Sequence, residues 1–172
     1  MMMISLKVTG VTDELTIESI RTYLLAAGPL AILGYIVAFA VSNLLSVPGV
    51  IFISAAILVY GVGLGTVVAI VGALCSVVLN FVVVRKIGGT PLGDLKGAWA
   101  RRALRYLDDY PIRTIFILRS LMLLNPHLNY TLALSSVKFR DYLIGSALGL
   151  IIPIGINALG LDYLFPQYTQ AP

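Results

Sequence analysis

The fold is decided by residues 22–84, which read TYLLAAGPLAILGYIVAFAVSNLLSVPGVIFISAAILVYGVGLGTVVAIVGALCSVVLNFVVV. This run of 63 residues contains no Asp, Glu, Lys, Arg or His. Because one helix needs about 20 apolar residues to cross a bilayer, the run predicts two or three membrane segments.

Two interruptions divide the run. The first is the stretch from Ser42 to Gly49, which contains a proline, and the second is the glycine-rich stretch 61–65. Residues 50–60 lie between them and are too few to cross a bilayer alone, so they predict a re-entrant or half-helix segment. Residues 66–84 are long enough for one crossing.

The second half of the chain repeats this plan. Residues 114–137 carry only Arg119 and His127 as ionisable side chains, and they are interrupted at Asn125-Pro126. Residues 142–161 are uncharged and long enough to span. Proline removes a backbone donor and disfavours helix in the residue before it. The breaks therefore mark irregular backbone at membrane depth, which requires a protein-lined cavity.

The two halves match in length and differ in terminal charge. Pro48 lies 37 residues before the basic Arg85-Lys86 pair, and Pro126 lies 36 residues before Asp162, after which there is no Lys or Arg. This pattern predicts an all-α integral membrane protein built as an inverted repeat of two re-entrant broken-helix hairpins, each followed by a transmembrane helix. The alternative is that two proline-interrupted hairpins share a length by chance.

Composition excludes other classes of protein. Hydrophobic residues make up 59% of the chain and charged residues 12%, with a mean hydropathy of +0.96, whereas soluble domains have about 25% charged residues. A soluble enzyme and a disordered chain are both excluded. The single Cys75 excludes a disulfide framework and a cysteine-based zinc site. The net charge of +4 indicates anionic lipid headgroups as partners, and not nucleic acid.

The distribution of basic residues predicts orientation and domain boundaries. Seven of the twelve basic residues lie between positions 85 and 113, so this stretch is predicted to be cytoplasmic. Counting an outward crossing before Ser42 then places the N-terminus in the cytoplasm. We predict a cytoplasmic leader (1–21), a membrane domain (22–162) and a C-terminal tail (163–172). No removable signal peptide is visible.

Residues 94–110 form an amphipathic pattern within the membrane domain. One helical face carries Leu95, Trp99 and Tyr106, and the other carries Arg101 and Arg105. This pattern predicts an interfacial helix lying on anionic lipid. The alternative is a loop helix packed on the rest of the domain.

Polar side chains inside the apolar runs are the candidate functional residues. A charge at the centre of a membrane segment costs about 2.5–3.5 kcal/mol, so Arg119 must be compensated by a phosphate or a broken helix end, or must extend to the interface. His127 either carries protons or forms hydrogen bonds at the break. Amides within or beside the apolar runs are suited to cap broken helices or link helices; these are Asn43, Asn80, Asn125, Asn129 and Asn157, of which Asn43, Asn125 and Asn129 are predicted to line the path.

Signals of catalysis are missing from the sequence. There is no His-Glu-x-x-His motif, phosphate-binding loop or Gly-x-Ser-x-Gly motif, and no pair of carboxylates lies in the apolar runs. We therefore predict that the protein is not an enzyme and has no cofactor and no metal site.

A set of motifs spread from Gly28 to about Gly160, about three quarters of the chain, resembles a known family. These are Pro48-Gly49, the Phe-x-x-x-Arg of Phe81 and Arg85, the stretch Arg119, Asn125, Pro126, His127, Asn129 and Tyr130, and the stretch Phe139, Arg140, Asp141 and Gly145. With these motifs the chain resembles the DedA superfamily, in its SNARE-associated Golgi protein (VTT-domain) branch.

The resemblance implies two opposed re-entrant hairpins flanked by membrane spans, and a lipid-related function. Eukaryotic relatives are linked to phospholipid scrambling, and some bacterial relatives to translocation of undecaprenyl phosphate or phospholipid. Transport-type DedA proteins place an acidic residue near the first Pro-Gly break, where this chain has Asn43 and Ser46. Because neither titrates, we expect passive movement without coupling to protons.

Two functions remain open at this point. The first is passive, scramblase-like movement of phospholipid or lipid phosphate along a polar path where the two breaks face each other. The second is a non-transporting membrane factor that assists assembly or binds a partner. In either case we expect membrane phospholipids as partners and a bacterial or archaeal plasma membrane as location. A homo-oligomer is left open.

Overall fold

The structure, a computed structural model, describes residues 22, 26, 28–87, 106–122 and 126–169, without the side chains of residues 122, 126, 127, 167 and 168. In these ranges the regular structure is helical: α1 (Pro29–Leu44), α2 (Val50–Ile87), α3 (Pro111–Met122), α4 (Pro126–Ala133), α5 (Phe139–Leu164) and α6 (Pro166–Thr169). Helices α2 and α5 are long and apolar enough to cross a membrane. The predicted all-helical fold is confirmed in these described ranges.

Helix α2 is folded back on itself at Gly61. This residue has φ 78° and ψ 173°, a backbone conformation that favours glycine. A Cβ atom on Gly65 would lie 2.5 Å from the carbonyl oxygen of Ala56, although nine residues of straight helix span about 13.5 Å. The limbs 50–60 and 62–87 therefore lie side by side. The break predicted at residues 61–65 consists of one residue, Gly61, at which the chain reverses direction.

Helix α1 runs parallel to limb 62–87 and ends beside its middle. The rings of Tyr35 and Phe39 are the nearest neighbours of Gly72, and Asn43 contacts Ser76 one turn further along both helices. With 16 residues, α1 is about 24 Å long. We expected an outward crossing before Ser42, opposite in direction to residues 66–84; the described helix instead runs in the same direction as limb 62–87 and ends halfway along it.

The second half is arranged in the same way around α5. Helix α3 runs parallel to α5, with Ile115 against Gly145 and Arg119, one turn later, against Gly149. Helix α5 runs antiparallel to limb 62–87, because the ring of Phe81 lies against Phe139 and the Tyr142 hydroxyl donates to the Val77 carbonyl. Near the other end of α5, Ser54 Oγ on limb 50–60 donates to Asn157 Oδ1.

The outer surface is apolar and the interior contains polar groups. Leu33, Val67 and Ile156 are each more than half exposed, which fits a surface in contact with lipid. Most of the predicted helix 94–110 lies outside the described residues, although residues 106–109 are helical. Helix α5 continues two residues past the predicted boundary at 162.

Candidate functional site

Three buried amide and hydroxyl side chains join the two halves. Asn43 on α1 donates from Nδ2 to Ser76 Oγ on α2 at 2.7 Å, and accepts at Oδ1 from Asn129 Nδ2 on α4 at 3.0 Å. All three residues are completely buried. Two residues predicted as candidates, Asn43 and Asn129, are thus in direct contact, and we call this set the amide link.

The end of α1 is held by the neighbour of Asn129. The Tyr130 hydroxyl donates to the Leu44 carbonyl at 2.7 Å and lies 3.3 Å from Ser46 Oγ. The last carbonyls of a helix have no partner within it, so Tyr130 stabilises the end of α1. The turn that follows contains Pro48, which is exposed, and Gly49, which is buried. The residues that lead into the first break, at Pro48-Gly49, therefore lie against the helix that begins at Pro126.

Arg119 lies completely buried in the last turn of α3. Its Nη2 donates to the Tyr142 hydroxyl at 2.8 Å and its Nε to Ser146 Oγ at 3.4 Å, both on α5. The Tyr142 hydroxyl in turn donates to the Val77 carbonyl at 3.0 Å. In the described part of the chain, the hydrogen-bond partners of the guanidinium are therefore two hydroxyl groups of α5. We call Arg119, Tyr142 and Ser146 the arginine site.

Close backbone packing positions this arginine. A Cβ atom on Gly149 would lie 2.6 Å from Arg119 Cβ and 2.8 Å from the Phe116 carbonyl oxygen. Only a glycine lets α3 approach α5 this closely. Gly145, predicted from the family motif, has the same role one turn earlier, where a Cβ would lie 2.9 Å from the Ile112 carbonyl oxygen.

Several buried polar atoms have no hydrogen-bond partner in the described part of the chain. Asn80 has none for either amide atom, Asn129 has none for Oδ1, and Arg119 has none for Nη1. All three residues are completely buried. Leaving such a group unpaired costs about 1–3 kcal/mol. Asn80 was not among the predicted site residues, although its position four residues after Ser76, on the same helix face, could have indicated it.

Arg85 has a structural role. Its two terminal nitrogens donate to the carbonyls of Val137 and Ser135 at 3.0 and 2.7 Å, and its guanidinium lies 4.6 Å from the centre of the Phe81 ring. The Phe-x-x-x-Arg motif therefore attaches the turn after α4 to the end of α2. A planar guanidinium with several donors suits this task better than an ammonium.

The remaining predicted residues lie away from the buried groups or outside the description. Phe139 is 41% exposed and lies beside Phe81. Arg140 is exposed and Asp141 half-buried, both in the first turn of α5. Asn125 lies outside the described residues, as do the side chains of Pro126 and His127.

Chemically, the buried groups are neutral or cationic. The amide link and the arginine site contribute donors and neutral acceptors, and neither contains a carboxylate. Within the described ranges no group of three or more His, Cys, Asp or Glu side chains is placed to hold a metal ion. The arrangement is suited to bind an anionic or zwitterionic group and has no acid–base pair.

Comparison with known proteins places the chain in a family. No curated protein and no solved structure matches it. The model of the VTT domain matches residues 47–163, which is more than half of the chain and includes α2 to α5. The match begins after α1, although the resemblance in the sequence starts at Gly28. The chain therefore belongs to the DedA/SNARE-associated Golgi protein family, the membrane proteins that contain a VTT domain.

Proposed function

We propose that this protein moves phospholipid or lipid phosphate passively across the bilayer, in the manner of a scramblase. The observation that carries the proposal is the set of polar atoms on Asn80, Asn129 and Arg119 that have no hydrogen-bond partner among the described residues. Buried polar groups without partners are costly to stability, and a membrane interior makes them more so. A function that uses them is a physical reason for their presence.

The path in this proposal is formed by two opposed re-entrant hairpins. The first consists of α1 and limb 50–60, and the second consists of α3 and α4. Two directional relations support it: α1 and α3 each run parallel to the long helix of their own half, and the long helices run antiparallel. Such an arrangement is expected of an inverted repeat.

Lipid movement requires the amide link to open. In the closed state Asn43 and Asn129 bond to each other and no described site residue in this link is exposed. Separation of α1 from α4 would free the amides and give a headgroup access to Arg119. The amide link and the arginine site contain no carboxylate, so a phosphate would meet no fixed negative charge there. Movement should then be driven by the lipid gradient alone.

We further propose that the stretch 85–113 is cytoplasmic, in a bacterial or archaeal plasma membrane. Its seven basic residues support this orientation. Helix α1 starts at the end of limb 62–87 opposite Arg85, so this orientation puts Pro29 on the outer side. The argument for a cytoplasmic N-terminus assumed a full crossing before Ser42, so the side of the N-terminus remains a prediction for labelling.

A second candidate is a non-transporting factor for assembly or partner binding. It is favoured by the complete burial of Asn43, Asn129 and Arg119, since a closed polar cluster also serves to align helices. The surface grooves beside the start of α3 are lined by Tyr110 and Arg113. Asn43, Asn129 and Arg119 do not line these grooves.

Purified protein in liposomes decides between the two candidates. Liposomes contain phospholipid with a fluorescent acyl chain, and an impermeant quencher is added outside. Passive transport predicts loss of more than the outer half of the fluorescence, at the same rate with and without a pH gradient. Movement only under a pH gradient would contradict passivity. No movement, in membranes where a known scramblase works, would favour the non-transporting factor.

A further inference from the structure

The buried atoms without a hydrogen-bond partner in the described ranges include both donors and acceptors. Arg119 Nη1 and Asn80 Nδ2 are donors, and Asn80 Oδ1 and Asn129 Oδ1 are acceptors. A bare phosphate oxygen satisfies only the donors. A ligand that pairs all of them must contain an anionic acceptor and also an N–H or O–H donor.

These groups surround one turn of limb 62–87, residues 76–80. Asn80 lies on that turn, and Asn129 reaches it through Asn43 and Ser76. Arg119 reaches it from the other side through Tyr142, whose hydroxyl donates to the Val77 carbonyl. Asn80 therefore lies on the turn that connects the amide link with the arginine site. Both atoms of its side-chain amide lack a hydrogen-bond partner in the described part of the chain.

We propose that Asn80 is a headgroup-binding residue that makes the protein select lipids whose headgroup has a phosphate and a hydrogen-bond donor. Ethanolamine and glycerol headgroups fit this description, and choline, which has no N–H or O–H, does not. The phosphate binds the free nitrogens of Arg119 and Asn80. The headgroup donor binds the amide oxygens of Asn80 and Asn129. This inference rests on the proposed function and adds the class of lipid to it.

The expected preference is large enough to measure. A choline headgroup leaves the amide oxygens without a donor in a site closed to water, and one unpaired buried group lowers a rate by roughly fivefold or more. We therefore expect phosphatidylethanolamine to move at least about fivefold faster than phosphatidylcholine. The two lipids have the same net charge, so Arg119 alone does not separate them.

The test compares ethanolamine headgroups that carry a decreasing number of N–H donors. The proteoliposome assay is run with acyl-labelled phosphatidylethanolamine, its N-methyl and N,N-dimethyl forms, phosphatidylcholine and phosphatidylglycerol. The main drop is expected between the dimethyl form, which keeps one N–H, and choline, which has none. A gradual decline with headgroup size, with no step at choline, would contradict the role of the donor.

Asn80→Leu separates binding from a structural role. It replaces an amide that has no partner in the described part of the chain by an apolar group of similar shape, so the unfolding temperature should stay equal or rise. The preference for ethanolamine over choline should fall below about twofold, since the free amide oxygen is removed. Asn80→Ala is the second variant if leucine does not fit. Asn157→Leu, the same change on α5 outside both sites, should keep the preference.

Each outcome decides one of the claims. Equal rates of all headgroups in the wild type would overturn the selectivity and leave the proposed transport intact. A retained preference in both Asn80 variants would also overturn the selectivity, as would a marked loss of stability in both, which indicates a structural amide satisfied by water. Absence of movement of every lipid would overturn the proposed function as well.

Discussion

Residues 29–87 and 111–164 contain the same order of elements but close their interiors with different chemistry. In the first half, aromatic rings of α1 pack at Gly72, and the buried polar groups are the neutral Asn43, Ser76 and Asn80. In the second half, the backbone of α3 packs directly at Gly145 and Gly149, and a cation is buried. One arrangement of helices thus accommodates a neutral and a charged interior.

The turns between the short and long helices differ as well. The first half reverses direction at Gly61 alone, whereas the second uses residues 134–138. The shorter turn forces limb 50–60 against limb 62–87. The longer turn is held by two hydrogen bonds from Arg85 of the first half. Each half is fastened by the other, because Tyr130 of the second half likewise holds the end of α1.

The largest expected difference between the halves is the side of the membrane on which each begins. We expect an impermeant maleimide added outside cells to label Leu30→Cys fully and Tyr110→Cys only after lysis, both in a Cys75→Ser background. Leu30 and Tyr110 are 73% and 61% exposed and lie beside the starts of α1 and α3, so packing against other residues of the protein does not limit the reaction. Labelling of both from the outside would contradict an inverted relation. A cysteine at Ser5 then locates the N-terminus.

The charged interior should be more important for transport than an exposed charge on the same helix. We expect Arg119→Met to lower lipid movement about tenfold or more, because a charge-assisted hydrogen bond to phosphate is lost. Arg119→Lys should restore only part of the rate, since an ammonium lacks the bidentate geometry. The measurement is the proteoliposome assay, with the unfolding temperature as a check on folding.

Arg113→Ala is the matched control for this variant. Arg113 lies six residues before Arg119 on α3 and is exposed, so its removal should leave the rate within about twofold of the wild type. Equal rates for Arg119→Met and the wild type, at equal protein density, would remove Arg119 from the mechanism and reduce the difference between the halves to packing.

Gly149 packs against the backbone of α3, whereas Gly72 packs against side chains of α1. The two glycines should therefore differ in how well they tolerate substitution by alanine. Gly149→Ala should lower the free energy of unfolding by about 1–3 kcal/mol, because its Cβ would meet the Phe116 carbonyl at 2.8 Å. Gly72→Ala should cost less, since its Cβ meets the ring of Tyr35, a side chain that can move. Chemical denaturation in detergent measures both.

Gly155→Ala is the control on the same helix. Apart from the neighbouring backbone of its own helix, no atom of the described residues lies within 4 Å of its Cβ position, so the substitution should be neutral or stabilise α5 by up to about 1 kcal/mol, as alanine favours helix. If Gly72→Ala proves as costly as Gly149→Ala, the two halves pack with equal rigidity.

The smallest expected effect concerns the contact between the halves at the end of α1. Tyr130→Phe removes the donor to the Leu44 carbonyl and should cost about 1 kcal/mol of unfolding free energy. Tyr163→Phe, at a side chain that is 88% exposed, should cost nothing measurable. A loss from Tyr130→Phe as large as that from Gly149→Ala would indicate that the halves depend on each other more than on their own packing.

Much of the fold can be predicted from the sequence, because its signals are local. A charge-free run of 63 residues cannot be solvated as a soluble domain, and the proline in stretch 42–49 and the three glycines in stretch 61–65 favour a break in a helix. The membrane class, the helical structure, the interruptions within 42–49 and 61–65, and the family were therefore determined by the sequence itself.

The tertiary structure alone decided what the buried polar groups contact. Asn43 and Asn129 are 86 residues apart, and Arg119 and Tyr142 are 23 apart, so their pairing depends on which helix faces meet. The direction of α1 was also undetermined, since an apolar helix of 16 residues has no local signal that separates a half-crossing from part of a full one. The unpaired amide of Asn80 has the same cause. Whether its two amide atoms find hydrogen-bond partners depends on the side chains that folding brings next to it, and among the described residues they find none.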